Sequence, residues 1–287
     1  MPRSFATSAA FKASLEARLK SLAAHRGIPM NTLRLKLVIE RLLARLFATP
    51  NPPWLLKGGY AMELRYRPRA RTTRDIDLTC SSLASTLAQR LAEVRDQLQD
   101  AAEVETGDYL SYRIARASSE LTGAPLGGGR FPCEAFLAGK TYGRSHIDLG
   151  FGDEPGATPE TLVGDDLLAF ADIPPPRVLA IPKTQQFAEK IHAYTLPWKD
   201  RVNTRTKDLV DLVLFIETGG VTPDAVNEAI ANTFAKRQTH AIPLTLPAPP
   251  AQWINDFEEL AAEAQLATRD VSSAFAVLLG FWERMHS

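Results

Sequence analysis

Two aspartates one residue apart, Asp75 and Asp77, are the residues of this chain best suited to chemistry. They lie in a β-prone run with the apolar Ile76 and Leu78. Because side chains alternate across a strand, both carboxylates are expected to point to the same side. Carboxylate oxygens are hard ligands that suit magnesium. The pattern therefore predicts that Asp75 and Asp77 hold one metal ion together, whereas two solvated aspartates on a surface strand are the alternative.

A glycine pair precedes these aspartates. Lys57, Gly58 and Gly59 follow the apolar run 54–56, and a short helix is predicted over residues 60–64. Glycines let backbone N–H groups come close to a phosphate, and the start of a helix favours an anion. An apolar strand, a glycine turn and an Asp-x-Asp strand together form the layout expected of a nucleotidyl-transfer site.

A further candidate acid, Asp148, lies on another predicted strand. In residues 145–151, alternation places His146 and Asp148 on one face. Asp148 is predicted to be a third metal ligand or a base for an attacking hydroxyl. Two alternatives stay open: Asp148 is an edge residue without such a role, or Glu134 fills this place from the neighbouring strand.

The two motifs resemble a known family. The segments 56–64 and 71–78 look like the AbiEii/AbiGii toxins of type IV toxin–antitoxin pairs, a branch of the DNA polymerase β-like nucleotidyltransferase superfamily. Residues 181–191, which end in Glu-Lys-Ile, and the Arg-x-Lys-Asp-x-x-Asp segment at 205–211 are also similar to that family. Where the family usually has a small hydroxyl residue after the glycines, this chain has Tyr60.

The resemblance implies site roles in the later segments. Lys190 is expected to bind nucleotide phosphates as a point charge. Asp208 and Asp211, neighbours on one helix face, are expected to orient Lys190 or to contact the sugar and base. A solvated lysine face, and for Asp208 a first-turn acid favoured by the helix dipole, are the alternatives. The nucleotide-binding residues predicted are Lys57, Gly58, Gly59, Arg74, Lys190, Asp208 and Asp211.

The implied reaction is attack of a hydroxyl on the α-phosphate of a nucleoside triphosphate, with release of pyrophosphate. Mg²⁺ is the expected cofactor, with Mn²⁺ as a substitute. The expected acceptor is the 3′ end of tRNA, the expected effect is blocked translation, and the expected protein partner is a cognate antitoxin encoded nearby. The alternatives are transfer to a protein or small molecule, or a non-catalytic module that acts by binding a partner.

Composition adds limits. The chain has 33 basic and 33 acidic residues, so its formal net charge is zero and no global field attracts nucleic acid. RNA contact would need local basic patches, such as those at residues 65–74 and 199–207. Cys80 and Cys133 lack metal-ligand spacing and are expected to be free thiols. No apolar run approaches the ~20 residues of a spanning helix, so a cytoplasmic protein without a membrane partner is expected.

Periodicity predicts an α+β fold, with a mixed sheet in one lobe and a mainly helical C-terminal lobe. The resemblance to the AbiEii family implies that the sheet lobe has the nucleotidyltransferase fold. The predicted domains are residues 1–155, the core with N-terminal helices, and residues 156–287, a helical domain that completes a cleft for nucleotide and acceptor. A helix is expected to start at Ser81 or Ser82 and to run to Leu98. Turns are expected at residues 127–129 and 139–143. Predicted strands cover 54–57, 109–117, 130–138, 145–151 and 177–181, and predicted helices cover 11–24, 33–47, 183–195, 206–217, 223–236, 252–264 and 269–285.

Overall fold

The structure is a computed structural model that describes residues 5–81, 86–153, 156–198 and 202–286. The chain divides into two compact units that interleave along the sequence. The first unit contains Met1–Leu56, Arg74–Gly152 and Thr161–Ala180, and the second contains Lys57–Thr73, Asp153–Glu160 and Ile181–Ser287. The sequence predicted one domain boundary at residue 155, whereas each of the two units contains three separate segments of the chain.

The first unit is built on a mixed sheet. Its strands are β1 (Trp54–Lys57), β2 (Asp75–Cys80), β3 (Leu110–Ile114), β4 (Ser119–Glu120), β5 (Gly128–Leu137), β6 (Lys140–Phe151), β7 (Glu160–Val163) and β8 (Arg177–Ala180). In the described part of the chain the order is β3-β5-β6-β2-β1-β8-β7, and β4 pairs with β5. Strand β6 is parallel to β2 and antiparallel to β5. Because β6 lies between β5 and β2, its residues are in register with residues of both strands.

The helices are α1 (Ser8–Arg26), α2 (Met30–Leu46), α3 (Gly58–Tyr66), α4 (Leu87–Ala102), α5 (Lys183–Tyr194), α6 (Thr206–Glu217), α7 (Pro223–Arg237), α8 (Ile254–Glu263) and α9 (Val271–His286). In the first unit, α2 packs against β6, β8, α1 and α4. In the second unit, α6 packs against α5, α8 and α9, and its apolar side chains from Leu209 to Phe215 are fully buried. The predicted α+β class, with a sheet in one unit and helices in the other, is confirmed.

A buried ion cluster fixes α2 in the first unit. Asp108 is fully buried, and its carboxylate accepts hydrogen bonds from Arg41 Nε at 2.6 Å and Arg45 Nη2 at 2.5 Å. Burial alone would raise the pKa of Asp108, but the hydrogen bonds and charges of Arg45 and Arg41 lower it overall. The carboxylate is therefore ionised, and it offsets the charge of two buried arginines.

Two local predictions are corrected. Helix α4 begins at Leu87 and not at Ser81, because the side chain of Thr86 accepts the backbone N–H of Gln89 and caps it; Ser82 lies outside the described residues. Of the turn predicted at 127–129, Gly127 ends a turn by donating its N–H to the carbonyl of Ala124, whereas Gly128 and Gly129 open β5. A Cβ on Gly128 would lie 2.4 Å from the carbonyl oxygen of Leu149, so glycine serves close strand approach there.

The second predicted turn is shorter than expected. It is confined to residues 138–139, because β6 already begins at Lys140. Strand β7 was not predicted from the sequence. In the described ranges no helix is both long enough and apolar enough to cross a membrane.

Candidate active site

Strands β2 and β6 bring carboxylates side by side. The parallel register pairs Asp77 with Asp148 and Asp75 with His146. The residues between them, Ile76 and Ile147 among others, are fully buried on the opposite face. One face of this strand pair is therefore apolar core and the other carries the polar side chains, as alternation predicts.

Arg130 joins this polar face from β5. The antiparallel register places Arg130 opposite Asp148. Its guanidinium donates from Nε to Oδ1 of Asp148 at 2.7 Å and from Nη2 to Oδ2 at 2.6 Å. The same Nη2 lies 4.0 Å from Oδ2 of Asp75. The hydrogen bond and charge of Asp148 raise the pKa of Arg130 further, so this group is a permanent cation among acids.

Glu134, the other acid considered for the third position, lies elsewhere on the sheet. It pairs in register with Arg144, and its carboxylate binds Arg144 and Arg113. Asp148 is the acid whose backbone is directly opposite Asp77.

The donor types on this face suit a hard cation such as Mg²⁺, because Asp75, Asp77 and Asp148 offer carboxylate oxygens. Within the described ranges, however, no three His, Cys, Asp or Glu side chains are grouped so that they could hold a metal ion. Both oxygens of Asp148 instead accept hydrogen bonds from Arg130. Asp75, Asp77 and Asp148 thus have the oxygen ligands and the strand positions that suit a metal ion. In this structure, however, the carboxylate of Asp148 forms an ion pair with Arg130.

The glycine turn lies at the start of the second unit. Gly58 follows β1 with a φ of 64°, a left-handed conformation that favours glycine, and α3 begins there. Gln186 donates a hydrogen bond to the carbonyl of Gly58 at 2.6 Å. A Cβ on Gly59 would lie 2.8 Å from Oγ1 of Thr73 and 3.2 Å from Nη2 of Arg71. The turn thus needs glycine at both positions, and Tyr60 is buried in the core.

Lys57 is held by acids of the second unit. Its Nζ lies 2.9 Å from Oδ2 of Asp153 and 3.2 Å from Oε2 of Glu189. Arg237 binds the same two carboxylates at 2.9 and 3.4 Å. Burial alone would lower the pKa of Lys57, but Glu189 and Asp153 raise it overall. Lys57 is therefore a cation with two carboxylate partners.

Lys190 belongs to a second buried cluster in the same unit. Its Nζ lies 2.6 Å from Oδ2 of Asp211 and 3.1 Å from Oδ1 of Asp208. Arg71 donates to both oxygens of Asp211, at 3.2 and 3.0 Å. Since Arg71 also lies against Gly59, the cluster connects helices α5 and α6 to the glycine turn.

The predicted site residues thus form groups within each unit. Asp75, Asp77 and Asp148 share one sheet face of the first unit, where Arg74 is exposed. In the second unit, Lys190, Asp208 and Asp211 are in direct contact, and Arg71 links Asp211 to Gly59. Of the basic patch predicted at residues 199–207, residues 199–201 lie outside the described ranges.

Sequence reasoning did not select Arg130, Arg71, Asp153 and Glu189 for the site. A signal existed for Arg130, because it lies two residues from Pro132 and four from Glu134 on a predicted strand and so shares their face. Arg71 and Glu189 lie in the family-like segments 71–78 and 181–191, but the partners of Arg71, Asp153 and Glu189 are far away in the sequence, and no local pattern predicts these contacts.

A mixed sheet with aspartates in register on neighbouring strands, preceded by a strand that ends in a glycine turn, is the arrangement expected of a nucleotidyltransferase. Residues 41–279 match the family described as Nucleotidyl transferase AbiEii toxin, Type IV TA system. Because the match covers most of the chain, the protein belongs to this family of nucleotidyltransferase toxins, and the predicted membership is confirmed. The family implies a nucleoside triphosphate substrate and an antitoxin partner.

Two solved structures are similar to this one. MenT4, a nucleotidyltransferase toxin from Mycobacterium tuberculosis H37Rv, matches with a TM-score of 0.64 and 15% identity, over 95% of this chain and 89% of that one. This likeness shows a shared fold. The cyclic dinucleotide synthase CdnE of Elizabethkingia meningoseptica matches at 12% identity over 87% of this chain and 91% of that one, with a TM-score of 0.22, too low to support an argument. None of the curated proteins compared with the chain matches it.

Proposed function

We propose that the protein transfers a nucleoside monophosphate from a nucleoside triphosphate to the 3′-terminal hydroxyl of tRNA, in a reaction that depends on a divalent metal ion, and that this blocks translation. The hydroxyl oxygen forms a bond to the α-phosphorus, the bond between the α- and β-phosphates breaks, and pyrophosphate leaves with the electron pair. The observation that carries the transfer chemistry is the register of Asp77 and Asp148 on parallel strands, with Asp75 on the same face. The choice of tRNA as acceptor rests on the membership of the chain in the AbiEii family.

In this proposal Asp75, Asp77 and Asp148 hold Mg²⁺, for which Mn²⁺ can substitute. The metal ion supplies charge compensation for the triphosphate and lowers the pKa of the attacking hydroxyl. The alternative role proposed for Asp148 is that of a base for the hydroxyl proton, and its register beside Asp77 supports either role. All three carboxylates would be needed together, so loss of any one should affect catalysis more than folding.

The second unit is proposed to bind the nucleotide. Lys190 stays charged because Asp211 and Asp208 raise its pKa against the effect of burial, which suits a phosphate-binding point charge. The N–H groups at Gly58 and Gly59 open α3 and so favour a phosphate. Exposed Arg74 can approach triphosphate or RNA without a cost of burial. Lys57 would reach a phosphate by leaving Asp153 and Glu189, just as Lys190 would by leaving Asp208 and Asp211.

The test is incubation of the protein with each of the labelled nucleoside triphosphates, Mg²⁺, total RNA and total protein. We expect label at the 3′ end of tRNA with wild type, and none with Asp77→Asn, since an amide keeps the shape but loses the charge that holds the metal. Glu134→Gln is the matched control, because Glu134 lies on the same sheet but pairs with Arg113 and Arg144. It should label RNA as wild type does.

Two results would change the proposal. Label on protein or on a small molecule would replace tRNA as the acceptor while keeping the nucleotidyl-transfer chemistry. Wild-type turnover by folded Asp75→Asn and Asp77→Asn variants would remove the carboxylates from the reaction altogether.

A further inference from the structure

The contact between Arg130 and Asp148 conflicts with the role proposed for Asp148. The fork of Arg130 engages both oxygens of Asp148, at 2.7 and 2.6 Å. A carboxylate whose two oxygens both accept hydrogen bonds from a guanidinium is a poor ligand for a metal ion. The metal ion would lie close to the positive guanidinium and would be repelled by it. In the described part of the chain no group of three ligands is formed, in agreement with this.

Arg130 also offsets the charge of the neighbouring acids on this face. Asp75 and Asp77 lie one residue apart and Asp148 is in register with Asp77, so their charges repel. Arg130 offsets this repulsion, since its Nη2 lies 2.6 Å from Asp148 and 4.0 Å from Asp75. The positive guanidinium thus compensates the same carboxylates that a divalent cation would compensate.

We infer that Arg130 is a displaceable counter-ion of the carboxylate site: it binds Asp148 in the metal-free protein, and it leaves Asp148 when a divalent cation and a triphosphate enter, to pair with phosphate oxygens instead. This inference rests on the proposed function. The exchange is physically open to Arg130, because its side chain is 39% exposed and can turn without crossing the core. A planar fork that fits a carboxylate also fits a phosphate.

The exchange predicts opposite effects on two ligands. Removal of Arg130 removes the competitor of the cation, so Arg130→Gln should bind Mn²⁺ without nucleotide about fivefold more tightly than wild type. It also removes a phosphate partner, so the same variant should bind a non-hydrolysable triphosphate with Mn²⁺ about tenfold more weakly. Calorimetric titration measures both affinities without turnover, and thermal unfolding checks that the variant is folded.

Two controls separate this exchange from a general effect of charge. Arg144→Gln removes the same charge from the same sheet, but its partner is Glu134, so Mn²⁺ affinity should stay at the wild-type value. Arg130→Lys keeps the charge and loses the fork, so it should lie between wild type and Arg130→Gln for both ligands.

The inference is overturned if Arg130→Gln gains no Mn²⁺ affinity, if Arg144→Gln gains as much, or if triphosphate affinity does not fall. Failure of the proposed function has a different signature. In that case Asp77→Asn would bind Mn²⁺ as tightly as wild type, whatever the Arg130 variants do.

Discussion

The Nζ atom of Lys190 lies 2.6 Å from Oδ2 of Asp211, and both side chains are almost fully buried. Arg71 binds the same carboxylate, so Asp211 offsets two cations. Burial alone would raise the pKa of Asp211, but Lys190 and Arg71 lower it overall. The cluster is therefore ionised at neutral pH, and each charge depends on its partners.

Loss of Lys190 should cost stability as well as nucleotide binding. Lys190→Ala leaves two acids without their ammonium, and we expect the free energy of unfolding to fall by about 3 kcal/mol. Asp211→Asn should cost a similar amount, and the double variant should lose less than the sum because the two residues act together. Urea denaturation of the four proteins measures this cycle.

Lys183→Ala is the control on the same helix. Lys183 is only half-buried, so its loss should change the free energy of unfolding by less than about 0.5 kcal/mol. If the decrease in the free energy of unfolding in the double variant equals the sum of the decreases in Lys190→Ala and Asp211→Asn, the two residues do not act together. Nucleotide affinities must be compared at a temperature where all variants are folded.

Gly59→Ala tests the close packing of the glycine turn. The added methyl would lie 2.8 Å from Oγ1 of Thr73 and 3.2 Å from Nη2 of Arg71, so Thr73 must shift and Arg71, a partner of Asp211, must also give way slightly. We expect a loss of about 1 to 3 kcal/mol in the free energy of unfolding, measured with urea. Gly123→Ala should have no comparable effect, because no atom lies within 4 Å of its added methyl. Equal losses in both variants would contradict the packing argument.

Asp108 predicts a specific dependence of stability on pH. Its pKa is lowered in the folded protein, so its contribution is complete above the unfolded-state pKa of about 3.9 and is lost as pH falls through the lower folded value. Asp108→Asn should therefore cost about 3 kcal/mol at neutral pH, because Arg41 and Arg45 lose their counter-charge. Urea denaturation at about pH 7 and about pH 3 should show a smaller difference between variant and wild type at the lower pH.

Asp96→Asn serves as the control for Asp108. Its carboxylate is 70% exposed and pairs with Arg95 on the surface. The expected change is within about 0.5 kcal/mol at either pH. The difference in the free energy of unfolding between Asp108→Asn and wild type should become smaller at acidic pH. If it stays the same, the charge of Asp108 is not what stabilises α2.

Growth inhibition should depend on the carboxylates. If toxicity comes from catalysis, expression of the protein alone should arrest growth, and Asp77→Asn should relieve the arrest, as measured by growth curves after induction. Glu134→Gln should arrest growth as wild type does. Undiminished arrest by a stable Asp77→Asn protein would favour the alternative in which the chain acts by binding a partner.

Elements whose own residues determine them were predictable from the sequence. Helix α6 covers Thr206–Glu217, the same residues that helical spacing predicts. The alternation around Asp75 and around Asp148 predicted two polar faces, and the sheet register joins them. The catalytic roles of these residues stay predictions.

Contacts that depend on register or on distant segments were not predictable. Arg130 and Asp148 are 18 residues apart, and they meet only because β5 and β6 pair with one particular alignment. Arg71 and Asp211 are separated by 140 residues. Gly128 was misread because a glycine that permits close strand approach and a glycine that permits a turn look alike in one sequence.

The interleaving of the two units limits the order in which the protein can fold during synthesis. Strand β1 pairs with β8, so the ribosome must pass residue 180 before the sheet can close. By then the second unit has only its segments 57–73 and 153–160, and the helices that bury them come later. A fragment that stops at residue 155 would lack β7 and β8 and would expose β1 as an unpaired edge, which is a template for aggregation. The chain is thus a poor candidate for dissection into separately expressed halves, and its nascent form has reason to need a chaperone until synthesis ends.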